Sequence, residues 1–381
     1  MNSNKKTVWW IVAAVIIIVL VWWGVGKQSA SGNTIKIGLI GPMTGDAAVY
    51  GEPVQKVILM AADEINAQGG INGKQIQIVT EDGKCNGTDA ANAAQKLFNV
   101  DGIKAAIGGF CSGEALAALP IAEQAKALLF STSASSPKLT GASPYFFRDY
   151  PSDSFQGKVL ADAAYNTKHW KSVAFIQEQT DYATGVYGAF NDDFTALGGK
   201  TTNESFPPNA TDFRSILTKL RSQNPNALFI DTQAPAAADR ILKQLQELGW
   251  KPALLVDDIV PGDPVTMKAD AAVLDGALTA EFGTDPTNPK FQHLVEAYKA
   301  KYGTDLPYQG YAQCAYDAVY LLKDGISAVG YDGTALASWS RTIKDWEGAS
   351  GVITIQPNGD PVSGHRLEVI HNGVATPVSS T

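Results

Sequence analysis

AAIGGFCSGEALAALPIAEQAKALLFSTSASSPKL, residues 105–139, reads as a short buried strand (Ala105–Ile107), a tight loop, a helix, a second strand (Leu128–Phe130) and a serine-rich loop. Both strands end in small hydroxyl residues: Cys111-Ser112-Gly113 after the first, and Ser131, Thr132, Ser133, Ser135 and Ser136 after the second. In open α/β sheets, ligands collect beyond the carboxyl ends of the strands, where unpaired amides and helix N-termini point outward. Two neighbouring ends rich in Ser and Gly make a cradle for a small anion such as a carboxylate. The same residues are also ordinary turn material.

Upstream, Ile35–Ile40 alternates and then turns fully apolar, as a strand entering a buried sheet does. A helix starts near Glu52-Pro53, presents Val54, Val57, Ile58, Ala61 and Ile65 on one face, and stops at Gly69-Gly70. Ile76–Thr80 is the next strand and Thr88–Val100 the next helix, giving four strands alternating with helices, the mark of a parallel sheet. The segment FRDYPS, 147–152, breaks the rhythm. The pattern then restarts: Ser154–Thr167 helix, Val173–Ile176 strand, Val186–Leu197 helix, Phe213–Arg221 helix, Leu228–Ile230 strand, Ile241–Leu248 helix and Leu254–Val256 strand. Helical patterns at Phe291–Tyr302, Tyr311–Val329 and Leu336–Trp346 follow. The tail from Gly351 carries Gly359-Asp360 and Asn372-Gly373 turns, as β-hairpins do.

The length of 381 residues suggests two domains, and 45% apolar with 18% charged residues is a globular composition. Removing residues 1–32, with three lysines and no acid, takes the net charge from −8 to −11. A body that acidic, without a basic cluster, argues against nucleic acid as a partner. Residues 8–25, VWWIVAAVIIIVLVWWGV, form one apolar run flanked by Trp9-Trp10 and Trp22-Trp23 and preceded by Lys5-Lys6. As a helix it would rise about 27 Å, close to the thickness of a hydrocarbon core, with its N-terminus cytoplasmic. A cleavable signal peptide competes, since small residues follow at 28–32; the length of the run and the lack of a lipobox cysteine favour an uncleaved anchor. In either case the body is exported to the outer face of the membrane. In that oxidising setting Cys85 and Cys111, each after a strand, can pair, closing a loop worth about 3 kcal/mol. Cys314 sits in a helical pattern of alanines and reads as a small buried residue.

Enzyme motifs are missing. Gly38, Gly41 and Gly45 lack dinucleotide-loop spacing, and Gly69–Lys74 lacks the spacing and hydroxyl of a P-loop. Ser135-Ser-Pro-Lys138 matches S-x-x-K without its companion elements, and Ser112 is not in a G-x-S-x-G elbow. His365 and His371 fall on one strand face with no third ligand nearby, a surface pair rather than a metal site. No cofactor, metal or catalytic set is expected.

Four stretches together carry a family likeness: Ile35–Gly51 (IKIGLIGPMTGDAAVYG), Ala61–Cys85 (AADEINAQGGINGKQIQIVTEDGKC), Ala105–Gly113 (AAIGGFCSG) and Ser131–Thr140 (STSASSPKLT). They resemble the substrate-binding proteins of ABC transporters for branched-chain amino acids, which have the type I periplasmic binding fold. The likeness runs from about Ile35 to Thr376. It implies an α/β protein of two Rossmann-like lobes with parallel sheets, joined by a three-strand hinge and preceded here by the membrane anchor or signal of residues 1–33. Lobe one would be 34–149 plus 279–353, and lobe two 150–278 plus 354–381.

The resemblance also implies a Cys85–Cys111 disulfide and a ligand closed between the lobes. Its carboxylate contacts fall on Ser112 and Ser133-Ala134-Ser135. Its ammonium contacts fall on Ser133, Ser135 and an acid of lobe two, Asp258 or its neighbour Asp257. Tyr182 matches the family's lobe-two tyrosine, Cys111 adjoins the carboxylate site, and Tyr50, Phe110 and Phe282 are expected apolar walls. Two departures bear on the ligand: Thr232-Gln233-Ala234 stands where the family has a tyrosine, and Asp258 is one methylene shorter than the family's glutamate. The implied function is an amino-acid receptor, monomeric and feeding an ABC permease, with selectivity at Tyr182, Gln233 and Asp258. A receptor for an amide, urea or aromatic acid is the alternative, ahead of a sensory ectodomain or a hydrolase.

Overall fold

The structure is a computed structural model that describes residues 34–378. Two parallel sheets dominate it. The first has the order β2-β1-β3-β4-β5, built from β1 (Thr34–Gly41), β2 (Gln75–Asp82), β3 (Ala105–Ile107), β4 (Leu128–Ser131) and β5 (Phe146–Arg148). The connecting helices are α1 (Ala48–Ala67), α2 (Gly87–Ala94, widening to a π-turn over Gln95–Val100) and α3 (Ser112–Gln124). Alternate strand residues enter opposite faces. Ile37, Leu39, Ile107 and Phe130 pack towards α1, while Ile40, Ala106 and Leu129 pack towards α2 and α3. Covering both faces is what a parallel sheet needs, and explains the near-continuous apolar runs.

The second unit repeats the topology. Strands β6 (Ser172–Glu178), β7 (Lys200–Phe206), β8 (Ala227–Asp231), β9 (Ala253–Val256) and β10 (Leu278–Glu281) lie in the order β7-β6-β8-β9-β10. Antiparallel β13 (Arg366–His371) and β14 (Val374–Pro377) extend the far edge. Its helices are α4 (Asp153–Asp162), α5 (Asp181–Ala196), α6 (Arg214–Ser222) and α7 (Pro235–Glu247), with three short helical turns between Ile259 and Leu274. Helices α8 (Pro289–Tyr302), α9 (Gln309–Val329) and α10 (Gly333–Ser340) return to the first unit. There, Tyr302 donates to the Lys56 carbonyl at 3.0 Å and Tyr316 to Glu64 at 2.6 Å. A two-stranded ribbon, β11 (Trp346–Gly348) with β12 (Gly351–Ile353), precedes the last passage to β13.

The chain thus passes between the units three times, after β5, after β10 and after β12. Strand β10 pairs with both β9 and β13, so residues 279–281 sit in the second sheet, although the sequence reading places the return at 279. Four strands escaped that reading: β5, a three-residue buried triplet; β7, an edge strand whose Thr201, Asn203 and Ser205 carry no apolar alternation; and the short β10 and β11. The helix expected over Leu336–Trp346 stops at Ser340, because Trp346 opens the ribbon. The N-terminal apolar segment 8–25 lies outside the described residues. Among the described ones no helix is long and apolar enough to cross a membrane.

Candidate functional site

In both sheets the strand order reverses between the first and third strands in sequence, β1/β3 and β6/β8, and ligands bind outside such switch points. The carboxyl ends of the two sheets face each other. Between them lies a small cavity, lined by Tyr50, Phe110, Ser112, Ser133 and Tyr311 from the first unit and Tyr182, Gln233 and Ile259 from the second.

The first-unit wall is held by local chemistry. Glu114, in the first turn of α3, is fully buried and receives three backbone amides, from Phe110 (2.9 Å), Cys111 (3.0 Å) and Cys85 (2.9 Å). The Cys85–Cys111 disulfide, with Cα atoms 5.3 Å apart, closes the same corner, and Cys314 is free and buried. Gly108, at φ +130°, lies where a Cβ would meet the Ile40 carbonyl at 2.1 Å, so only glycine lets the loop after β3 cross the end of β1. These constraints fix Ser112 as the first residue of a 13-residue helix, whose positive end faces the cavity. The Ser112 hydroxyl oxygen accepts the Ser136 amide at 3.1 Å, which leaves its own proton to donate. Ser133 donates to the Phe110 carbonyl at 3.0 Å and so offers an oxygen.

Burial pushes Glu114 up to about 7. An acid whose folded-state pKa is raised holds its proton longer in the folded form, so its contribution is fully present below about 4.5 and is lost as pH rises through 7. Replacing Glu114 with Gln puts an NH2 group against one of the three amides. It should cost about 1–3 kcal/mol and flatten the fall in stability between pH 5 and 7.5, read from urea midpoints. An unchanged midpoint at both pH values would remove Glu114 from this role.

Behind the second-unit wall, Asp258 holds Tyr182. Its Oδ1 accepts the Tyr182 hydroxyl and its Oδ2 the Tyr150 hydroxyl, each at 2.5 Å, and all three side chains are buried. Burial, with Asp258 alongside, raises both tyrosines well above their ordinary range, so they stay neutral donors. Asp257 points elsewhere, receiving the amides of Thr232 (2.6 Å) and Ile259 (3.1 Å). Gln233 donates to the Tyr50 hydroxyl across the cavity at 3.2 Å, and Tyr50 in turn touches Cys111 Sγ at 3.0 Å. The Gln233 backbone amide is received by Glu178, which burial pushes up to about 7.

Of the residues singled out from sequence, Tyr50, Phe110, Ser112, Ser133, Tyr182 and Gln233 line this cavity. Ser135 faces away from it, donating to Asp153 at 2.9 Å. Asp258 and Phe282 line a larger cleft on the other side of Tyr311. Ala134 and Cys111 serve as backbone and support. His365, read as a surface residue, is buried against the Tyr150 ring (centroids 5.7 Å), and burial pulls it down to about 4. His371 is exposed beside Asp275.

The sequence reading did not find Tyr311, Ile259 and Arg148. Arg148 is fully buried and donates to Asp360 (2.7 Å), to the Ala134 and Ser136 carbonyls (3.0 and 3.1 Å) and to Thr140 (2.9 Å), so one guanidinium holds the serine loop. The signal for it was an arginine directly after Phe146-Phe147, where the α/β rhythm breaks.

A two-unit fold of this topology with a small site between strand ends is that of a solute receptor. The chain belongs to the periplasmic binding protein family, whose model matches residues 34–368. It is 27% identical over 339 residues to a leucine-, isoleucine-, valine-, threonine- and alanine-binding protein of Pseudomonas aeruginosa, covering 88% of this chain and 90% of that one. Among solved structures, a leucine-binding protein, LivK, from Thermotoga maritima superposes with TM-score 0.83 at 29% identity, covering 91% of this chain and 98% of the other. A solute-binding protein of an ABC transporter from R. palustris, solved with benzoate, shares the fold at TM-score 0.81 and 21% identity, covering 91% and 96%.

Proposed function

We propose that this chain is the extracytoplasmic substrate-binding protein of an ABC importer, anchored or exported through residues 8–25, and that it encloses a small amino acid between two lobes. The lobes are the two sheet-centred units, and the three passages between them form the hinge. Ligand touching both walls shifts the open–closed balance through its differential affinity for the closed form. The observation that carries the reading is Ser112, whose uncommitted hydroxyl proton at the head of α3 faces the cavity. A carboxylate there accepts a charge-assisted hydrogen bond and lies on the favourable end of the helix dipole. Likeness to the leucine-binding relatives supports the ligand class. Ser112→Ala should weaken binding of leucine, valine or alanine by about 1–3 kcal/mol, a loss of about 5- to 150-fold in calorimetric titration. Wild-type affinity in that variant would refute the carboxylate assignment.

A second reading has its own support. No side chain lining the cavity carries a formal charge, and both Asp258 oxygens are engaged by tyrosines. That suits a ligand without an ammonium group, such as an amide, urea or an aromatic acid held among Tyr50, Phe110, Tyr182 and Tyr311. A thermal-shift panel of leucine, glycine, urea and benzoate separates the two. A shift with benzoate or urea alone would replace the amino-acid reading.

A further inference from the structure

The second-unit wall of the cavity consists of Tyr182, Gln233 and Ile259. Ile259 is apolar and Tyr182 has given its hydroxyl proton to Asp258, so on that wall only the Gln233 side chain still offers both a donor and an acceptor. One Nε2 hydrogen goes to the Tyr50 hydroxyl at 3.2 Å and the other is free. Among the described residues nothing donates to Gln233 Oε1. That oxygen is not sealed off, as the unpaired Oε1 atoms of Gln156 and Gln313 are; it opens on the cavity that Gln233 lines. Turning the carboxamide over would exchange donor for acceptor at Tyr50 and leave one polar end unpaired all the same. Gln233 is buried, and a half-used carboxamide in such a place costs free energy until a ligand completes it.

We propose, on the amino-acid reading above, that Gln233 selects ligands with a short, uncharged, polar side chain, a hydroxyl or a carboxamide, over their aliphatic isosteres. In that reading Ser112 and Ser133 of the first unit hold the main-chain groups, and the side chain is left to the facing wall. Its length follows from position. Gln233 touches Tyr50, and Tyr50 touches the Sγ of Cys111, the neighbour of Ser112, at 3.0 Å. Only a short side chain fits between a carboxylate at Ser112 and an amide that close. A charged one is disfavoured, because no side chain lining the cavity carries a formal charge to offset it. Hydroxyls and carboxamides both donate and accept, which is the complement of what Gln233 has left. An aliphatic isostere fills the same space and leaves the Gln233 carbonyl unpaired, and that penalty is the source of the discrimination.

Isosteric pairs test this. L-threonine against L-valine, and L-asparagine against L-leucine, are titrated calorimetrically into the wild-type protein, with L-alanine as the reference for main-chain contacts. Threonine is expected to bind about tenfold tighter than valine, and asparagine tighter than leucine, the scale of one buried acceptor satisfied rather than stranded. In Gln233→Met, which keeps the length of the side chain and removes both polar ends, the threonine-to-valine ratio should fall to near one. Alanine affinity in the same variant gauges any general loss, so a merely structural role, which weakens all ligands alike, does not move the ratio. The wild-type comparison stands by itself if the variant misfolds. Valine bound as tightly as threonine, or a ratio unchanged in a folded Gln233→Met, would overturn the proposal while leaving the amino-acid reading intact. Binding of none of the five, alanine included, would remove that reading and the proposal with it.

Discussion

Replacing Arg148 with methionine is expected to destabilise the protein by about 3–5 kcal/mol, the range for breaking a buried ion pair by removing one partner. The guanidinium is wholly excluded from water, and its Nε, Nη1 and Nη2 are committed to Asp360, to the Ala134 and Ser136 carbonyls, and to Thr140. Thr140 also donates to Asp360 Oδ2 at 2.7 Å, so the substitution strands a carboxylate and two carbonyls together. The Arg148 amide donates to the Gly359 carbonyl at 2.9 Å, which joins the end of β5 to the third passage between the units. Loss of the side chain should therefore release the serine loop as well as lower stability, and ligand affinity should fall with the melting temperature. Arg148→Lys keeps the charge and one bond but not the fork, and should recover only part of the loss. Thermal unfolding of both variants checks this. A melting point within a degree of wild type in the methionine variant would mean that the network contributes nothing net.

Asp258→Asn should separate the two ligand readings. If an amino-acid ammonium reaches this carboxylate, removing its charge costs about 2–5 kcal/mol of binding, the range for truncating one partner of a buried charged pair. That is a loss of about 30-fold at the least. The asparagine still accepts one of the two tyrosine hydroxyls, so the fold is expected to survive with a modest loss of stability. Alanine would orphan both Tyr150 and Tyr182, and confound binding with folding. Calorimetry with leucine reads the outcome. Unchanged affinity in a folded Asn variant would place the ammonium elsewhere and favour a ligand without one.

Much of this could be read along the chain. Parallel strands buried on both faces announce themselves as short apolar runs, and the helices between them as 3.6-residue periods. The serine-rich ends at Ser112 and Ser133 were legible for the same reason, since residues just past a buried strand have only one place to be. Strand β7 was not legible, because an edge strand need not be apolar, and its Thr201-Thr-Asn-Glu-Ser205 run carries no period. Nor was the commitment of Ser135. Its hydroxyl meets Asp153 only because α4 begins beside the serine loop after the first passage between the units.

Composition and periodicity, being local, determined an α/β chain of two similar units and the small-residue wall of its cavity. Family likeness added Cys85–Cys111 and the facing tyrosine. Tertiary structure alone decided what each polar group has left to offer. Asp258, adjacent in sequence to Asp257, takes two tyrosine hydroxyls from different parts of the chain, while Asp257 caps backbone amides. Hydrogen-bond capacity is settled between residues tens to hundreds of positions apart, and no window of sequence contains both partners.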